Sequence, residues 1–239
     1  MSAIVWDAEG AKKFETGVDH GVLYVRKDTS VTVSGVTNSV GTYFHGGVPW
    51  NGITSVSKSP SGAEANDIYA DNIKYASIRS TENFGATIEA YTYPDEFAVC
   101  DGSAAAATGV FLGQQTRTPF GFCFRTDIGD DADISVNKNS KYKLHLIYNA
   151  TASPSESSYN TINDSPEAIT FSWEITTIPA SAGNTYLPTA CITIDSTKAN
   201  ETKLANFEKI LYGTDGSGNN SGTDPMLPMP EDVIAFFGT

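Results

Sequence analysis

An alternation of apolar and polar residues in one segment constrains the fold of this 239-residue chain more than any other feature. The apolar positions of that segment are Ile169, Phe171, Trp173 and Ile175, and the polar positions between them are Thr170, Ser172, Glu174 and Thr176. Successive side chains of a β-strand point to opposite faces, so this pattern predicts a strand whose apolar face lies in a core. Residues 142–148 and 84–90 alternate in the same way, and His145 is expected on the polar face of its strand.

Shorter patterns predict further strands at 17–24, 50–57, 68–78, 120–126 and 190–195. We therefore expect a mainly β protein, with residues 1–213 forming one β domain.

Two segments between the predicted strands have compositions of their own. Residues 127–133 contain four aspartates and are expected at a hairpin tip. Residues 27–41 are rich in Thr, Ser and Val and lack a large core residue. They are predicted to form either an extended arm or an exposed ribbon.

Helices are expected at only a few places. Residues 94–100 suit a short helix, because Pro94 is followed by two acidic residues in the first turn. The clearest helix spans 200–212, where the apolar residues share one face. Asn200 can cap its start and Gly213 can end it. This helix is predicted to flank the sheet.

The end of the chain divides into a linker and a docking segment. Residues 214–225 are rich in Gly, Asn and Ser and are predicted to be flexible. Residues 226–239 follow, with a last short helix at 231–237. Four large apolar side chains in this helix would be costly to leave in water, so we expect them to dock on this subunit or on a neighbour. They are Val233, Ile234, Phe236 and Phe237.

The charge balance argues against several classes of function. The chain has 28 acidic and 15 basic residues, a formal net charge of −13. An acidic chain repels phosphates, so specific nucleic-acid binding is not expected. No run approaches the ~18 apolar residues of a membrane span, and residues 1–10 do not resemble a secretory signal. The three cysteines are widely spaced, which suits synthesis in a reducing cytoplasm and indicates no zinc or redox motif.

Sequence motifs of catalysis are absent, so we predict no enzyme activity, no cofactor and no metal. The histidines His20, His45 and His145 are far apart in sequence, and a catalytic histidine normally needs an orienting partner. The aspartates of 127–133 could in principle gather Ca²⁺. Lys138, however, stands where an EF-hand loop has its bidentate glutamate.

Five aromatic residues cluster in sequence around the predicted strand and helix at 84–100. They are Tyr69, Tyr75, Tyr91, Tyr93 and Phe97. Aromatic side chains concentrate in cores and interfaces, and no basic stripe accompanies them, which disfavours an RNA-stacking surface. A sugar-binding face stays open as an alternative. A glycosidase-type pair of Glu89 and Glu174 would require a cleft between them.

Two phrases in this region carry a resemblance to a known family. They are Tyr69-Ala-Asp-Asn-Ile-Lys-Tyr75 and Glu89-Ala-Tyr-Thr-Tyr-Pro-Asp-Glu-Phe97. Further matching segments follow in the same order along most of the chain, at 17–24, 50–54, 59–64, 113–115, 143–148, 152–155, 163–168 and 211–216. Together they resemble the major tail protein, or tail tube protein, of long-tailed bacteriophages and prophages of Gram-positive hosts.

The resemblance implies a two-sheet β-sandwich or half-barrel with a flanking α-helix and a short C-terminal helix. It implies a structural virion protein, made in the host cytoplasm, whose hexameric rings stack into a hollow tail tube. The implied partners are further copies of the chain, the tape measure protein, and the tail terminator and baseplate proteins. DNA would pass without specific binding, and no membrane would be involved.

In such a tube one sheet face must line the lumen. The polar face made by Thr170, Ser172, Glu174 and Thr176 has no cation, so it would not hold passing phosphates. We predict that this face lines the lumen; the alternative is an ordinary solvent-facing strand, since antiparallel sheets often expose one face to water. The main alternative is a secreted carbohydrate-binding β-sandwich, which would explain the aromatic residues and the low charged fraction of 18% but lacks a secretory signal.

Overall fold

The computed structural model describes residue 6 and residues 11–27, 31–33, 36–38, 43–62, 64–131, 141–162, 164, 168–216 and 222–238. Within these residues the chain is mainly β, which confirms the predicted class. The strands are β1 (Lys13–Lys27), β2 (Val31–Val33), β3 (Val36–Asn38), β4 (Tyr43–His45), β5 (Val48–Pro49), β6 (Ile53–Lys58), β7 (Ser61–Gly62), β8 (Ala65–Ala70), β9 (Ile73–Arg79), β10 (Glu82–Asn83), β11 (Gly85–Ala90), β12 (Ala104–Ala107), β13 (Val110–Leu112), β14 (Phe120–Asp130), β15 (Tyr142–Ala152), β16 (Phe171–Thr177), β17 (Cys191–Asp195) and β18 (Met226–Leu227). The helices are a 3₁₀ helix (Asp95–Val99), α1 (Glu201–Tyr212) and α2 (Pro230–Gly238).

Ten of these strands form one large antiparallel sheet. Its order is β18-β4-β1-β14-β15-β16-β11-β6, with β5 paired to β1 and β17 paired to β15. The sheet curls until the start of β6 approaches β1. There the Trp50 amide donates to the Gly21 carbonyl at 2.8 Å, and a Cβ atom on Gly21 would collide with Ile53. A larger residue at position 21 would therefore force Ile53 to move.

The middle of β1 and most of β14 and β15 are buried on both faces, because each side of the sheet there covers a hydrophobic cluster. Leu23 and Phe122 point into the curl. Their chain neighbours Tyr24 and Cys123 point the other way and pack with Phe207 of α1. Adjacent residues of one strand thus belong to opposite cores, as the two-residue period requires.

Helix α1 begins and ends at the predicted caps. The Asn200 side chain accepts a hydrogen bond from the Lys203 amide at 3.1 Å, and the chain leaves the helix at Gly213, with φ 75° and ψ 179°. The buried face consists of Leu204, Phe207, Ile210 and Leu211. The predicted short helix at 94–100 is a 3₁₀ helix, and its buried Phe97 packs on Trp50 and Trp173.

Two strand boundaries differ from the prediction. Residues 68–78 are two strands, because Asp71 and Asn72 have φ of 51° and 63° and turn the chain between β8 and β9. Asp and Asn tolerate this left-handed conformation better than other non-glycine residues. Ile169 was expected on a core face but is exposed. Strand β16 begins only at Phe171, which pairs with the last residue of β11.

Three polar side chains that the sequence placed outside the core are buried, two of them on β14 and one on β15. His145 is 5% exposed, and it stacks on Phe124 with ring centroids 4.6 Å apart. Asp127 and Asp130 were placed at a hairpin tip, yet β14 continues through Asp130 and pairs there with β1. Asp133 lies outside the described residues. The alternation of a single strand cannot reveal that a second layer covers its polar side.

The segment at 27–41 contains the short antiparallel pair β2 and β3, which agrees with the ribbon alternative for the described residues. Residues 28–30, 34–35 and 39–42 lie outside the described part of the chain.

The linker at 214–225 is tied at its ends. The main chains of Thr214 and Thr223 exchange two hydrogen bonds of 3.0 Å. Residues 217–221 lie outside the described part of the chain. Beyond the linker, Met226 and Leu227 form β18, which pairs with β4 of the same chain.

Candidate interaction surfaces

The outer face of the three strands β6, β11 and β16 is polar over its whole described width. The register places its residues side by side, since Glu89 lies opposite both Ser55 and Ser172, and Thr87 lies opposite both Ser57 and Glu174. Thr176 continues the row beside Gly85. These outward positions include two carboxylates and no Lys or Arg. We call this surface the polar sheet face: Ser55, Ser57, Thr87, Glu89, Ser172, Glu174 and Thr176.

Three of the four residues predicted to line a lumen belong to this face. Ser172, Glu174 and Thr176 alternate with the buried Trp173 and Ile175 in β16. Thr170 is exposed but precedes the strand. The residues contributed by β6 and β11 were missed, because the sequence does not show which strands become neighbours. The alternation in 84–90 was the available signal.

Glu89 and Glu174 are brought onto one face, which the sequence analysis left open. They lie on neighbouring strands but not opposite each other. Glu89 accepts a hydrogen bond from the Ser55 hydroxyl at 2.9 Å, while Glu174 is exposed. Both sit on the open surface of a sheet. A glycosidase pair requires a sugar ring held between the two carboxyl groups, and the outer surface of the sheet gives no such enclosure.

The buried His145 side chain lies in a partly buried hydrogen-bond network that joins four strands. Its Nδ1 is 2.9 Å from Lys58 Nζ on β6 and 3.2 Å from Thr193 Oγ1 on β17. Its Nε2 is 3.0 Å from Thr126 Oγ1 on β14. An ammonium group only donates, so we assign Nδ1 as the acceptor and Nε2 as the protonated nitrogen.

The environment keeps this imidazole neutral. Burial, and then the positive charge of Lys58, lower the pKa of His145 to about 4. No carboxylate contacts the ring in this network, so it lacks the orienting partner of a general base. The other histidines have separate partners: His20 Nδ1 is 3.0 Å from Asp19, and His45 Nε2 is 3.3 Å from Asp224.

The strands β6 and β17 leave open edges on the large sheet within the described residues. Strand β6 pairs only with β11, and β17 pairs only with β15. An open edge presents main-chain N–H and C=O groups that can pair with another chain. Both edges are therefore candidate sites of strand pairing.

Two hairpins expose large apolar side chains. The pair β8–β9 carries Tyr69, Ile73 and Tyr75, which are 64–73% exposed. The pair β12–β13 carries Val110, Phe111 and Leu112, which are 51–60% exposed. The first hairpin precedes the start of β11 and the second follows its end. Contiguous exposed apolar residues of this kind mark interaction surfaces.

The predicted docking residues of the C-terminal helix contact their own chain. Val233 is buried, and both Phe236 and Phe237 pack on Phe207 of α1, with ring centroids 5.7 and 5.3 Å away. Ile234 is half-buried and borders a groove between α2 and β17. Helix α2 thus adds a layer to the core beneath α1.

Within the described residues no group of three or more His, Cys, Asp and Glu side chains is placed to hold a metal ion. None of the described helices is long and apolar enough to cross a membrane. No family model matches the sequence, and no curated protein matches it.

Proposed function

We propose that this chain is a structural protein that assembles into stacked hexameric rings, forming a hollow tail tube through which phage DNA passes. The observation that carries the proposal is the polar sheet face, which lies on a curled sheet with open edges. Every outward residue of this face is small, hydroxylated or acidic. A wall that DNA must slide past should lack cations, because each cation would add a phosphate contact and a counterion-release gain.

The open edges at β6 and β17 support assembly from identical copies. Joining the edge of one copy to a different edge of the next is a heterologous contact, which closes into a ring when the rotation allows. Closure satisfies the edge groups that would otherwise template aggregation. The curled sheet with α1 on its outer side agrees with the half-barrel that the resemblance implies.

The exposed hairpins support contacts between rings. Tyr69, Ile73 and Tyr75 precede the start of β11, and the apolar hairpin β12–β13 follows its end. A soluble monomer gains nothing from two such surfaces. A stack of rings needs a surface at each end, and buried apolar area would stabilise the contact at roughly 25 cal/mol per Å².

Negative-stain electron microscopy of the purified protein tests the proposal. We expect rings or tubes of one uniform diameter. Tyr75→Ser combined with Ile73→Ser should shift the material toward single rings or monomers. Tyr159 is 75% exposed and lies outside both hairpins. The control Tyr159→Ser should therefore leave the tubes intact. A protein that stays monomeric at every concentration would refute the tube.

The alternative, a carbohydrate-binding module, retains one favourable observation. Tyr69, Tyr75 and Tyr91 are all more than half exposed, and exposed aromatic rings can stack on sugars. Binding of glycans by a monomer, abolished by Tyr91→Ala, would favour this alternative over the tube.

A further inference from the structure

The loop between β5 and β6 carries an asparagine that is followed directly by glycine. Asn51-Gly52 is the single Asn-Gly pair in the sequence. Both residues are exposed, and neither belongs to a strand. Glycine has no Cβ atom that could crowd its main-chain nitrogen. The side-chain amide of Asn51 and the nitrogen that follows it are therefore both open to reaction.

Hydrogen bonds hold the chain on either side of this reactive position. Trp50 is buried, its amide donates to Gly21 O at 2.8 Å, and its indole Nε1 donates to Thr92 O at 2.9 Å. The Gly52 carbonyl accepts a hydrogen bond from the Tyr91 amide at 2.9 Å. The Gly52 amide, in contrast, donates to no group in the part of the chain that the structure describes. No hydrogen bond within that part has to break before this nitrogen reacts.

We propose that Asn51 is a site of spontaneous deamidation that converts it to a mixture of aspartate and isoaspartate. The Gly52 nitrogen attacks Asn51 Cγ and forms a five-membered succinimide. The bond from Cγ to Nδ2 breaks, and Nδ2 leaves as ammonia after taking the proton of the Gly52 amide. Water then opens one of the two C–N bonds of the imide ring. The proposal does not depend on the tail-tube function.

The two products differ in their effect on the main chain. Opening the ring at Cγ gives aspartate with the original main chain, and opening it at the main-chain carbonyl carbon gives isoaspartate. Both products add one negative charge. In isoaspartate the chain runs through Cβ and Cγ, which adds one C–C bond of about 1.5 Å between Trp50 and Gly52.

The added length of isoaspartate falls between two residues that are tied to other parts of the fold. The Trp50–Gly21 hydrogen bond joins the start of β6 to β1, where the curled sheet approaches itself. The Gly52–Tyr91 bond ties the same loop to the end of β11. Both bonds cannot keep their geometry when the chain between them lengthens. Isoaspartate at position 51 therefore loosens the closure of the sheet, whereas aspartate leaves it intact.

Peptide mapping by mass spectrometry, on dilute protein stored at neutral pH and sampled over time, measures the reaction. Asn160 is the internal control, because it is exposed in the loop after β15 but is followed by Thr161. We expect Asn51 to react at least about tenfold faster than Asn160, which corresponds to a barrier lower by about 1.4 kcal/mol. Asn51→Gln should abolish the reaction at this position, because the longer side chain would have to close a six-membered ring. Equal rates at Asn51 and Asn160, or an Asn51 that stays unmodified, would overturn the proposal.

The variant Asn51→Asp separates the effect of the added charge from that of the longer main chain. Anion exchange isolates the aged protein by its extra charge, and fragmentation in the mass spectrometer gives its isoaspartate content. Hydrogen exchange then compares this fraction with Asn51→Asp. We expect the isoaspartate molecules to exchange about tenfold faster in the peptide that contains Trp50, a loss of about 1.4 kcal/mol of protection. Identical exchange in the two samples would show that the loop absorbs the added bond, and would overturn the predicted loss of closure.

Discussion

At the scale of single residues, His145 shows how covering both faces of a sheet buries a polar side chain and makes the stability of the fold depend on it. Its ring links Lys58, Thr126 and Thr193, which lie on three other strands. Lys143 and Glu15 are the other charged groups that act on it, and they bond to each other. Glu15 raises the pKa of His145 and Lys143 lowers it, so their effects offset each other. Burial and the charge of Lys58 therefore determine the protonation state of His145.

This environment predicts a pH-dependent stability. The pKa of His145 is about 4 in the folded chain, whereas an unperturbed histidine has a pKa of 6.5. Below pH 6.5 the unfolded chain binds a proton that the folded chain refuses, so stability falls as pH drops from 6.5 to 4. The loss attributable to His145 should reach up to about 3 kcal/mol. Urea unfolding of wild type and His145→Gln checks this, because the Gln variant should lose less stability over that range. Parallel pH profiles would contradict it.

Substitutions at two glycines with the same φ distinguish the cost of backbone strain from the cost of a steric collision. Gly213 and Gly109 both have φ of 75°. A Cβ atom on Gly213 would lie 2.5 Å from Thr223 O, whereas one on Gly109 would meet nothing within 4 Å. We expect Gly213→Ala to lower the free energy of unfolding by about 2–4 kcal/mol and Gly109→Ala by about 1 kcal/mol. Thermal or urea unfolding measures both, and equal losses would show that the Thr214–Thr223 bridge does not restrain Gly213.

At the scale of elements, helix α2 predicts a sharp contrast between two neighbouring positions. Val233 is 3% exposed against α1, and Ala235 is exposed. Val233→Asp would bury an unpaired carboxylate and should lower the free energy of unfolding by about 3 kcal/mol or more. Ala235→Asp should change it by no more than about 0.5 kcal/mol. If both variants unfold at the same urea concentration, the packing of α2 on α1 contributes little.

Local sequence signals predicted helix and strand boundaries best where a single residue determines where the element begins or ends. Asn200 and Gly213 bounded α1 correctly, and the alternation in β16 placed Trp173 and Ile175 inside and Glu174 outside. The sequence could not predict the burial of His145, because that depends on layers contributed by distant segments. The polar sheet face was predicted only for β16, since strand neighbours follow from the curl of the whole sheet.

At the scale of the whole molecule, the chain separates its surfaces by chemistry. The polar sheet face carries carboxylates and hydroxyls, the two hairpins carry apolar side chains, and the groove between β17 and α2 is lined by apolar side chains together with Asp195, Lys198 and Lys203. With a net charge of −13, contacts between copies in the proposed tube would have to overcome mutual repulsion. Apolar contacts at the hairpins would do so without adding cations to the face proposed for the lumen.

Replacing Glu174 with Lys tests which way the polar sheet face points in the proposed tube. The change adds two units of positive charge per subunit, and a ring of six subunits multiplies it. Glu174 is exposed and has no role in either core, so tubes should still form. If the face lines the lumen, DNA ejection from phage carrying Glu174→Lys should slow, most strongly at low salt, where phosphate contacts are least screened. Asp215→Lys is the matched control, because it adds the same charge at an exposed position in the linker after α1, outside the polar sheet face. Equal ejection rates for the two variants at low salt would place the polar sheet face away from the DNA path.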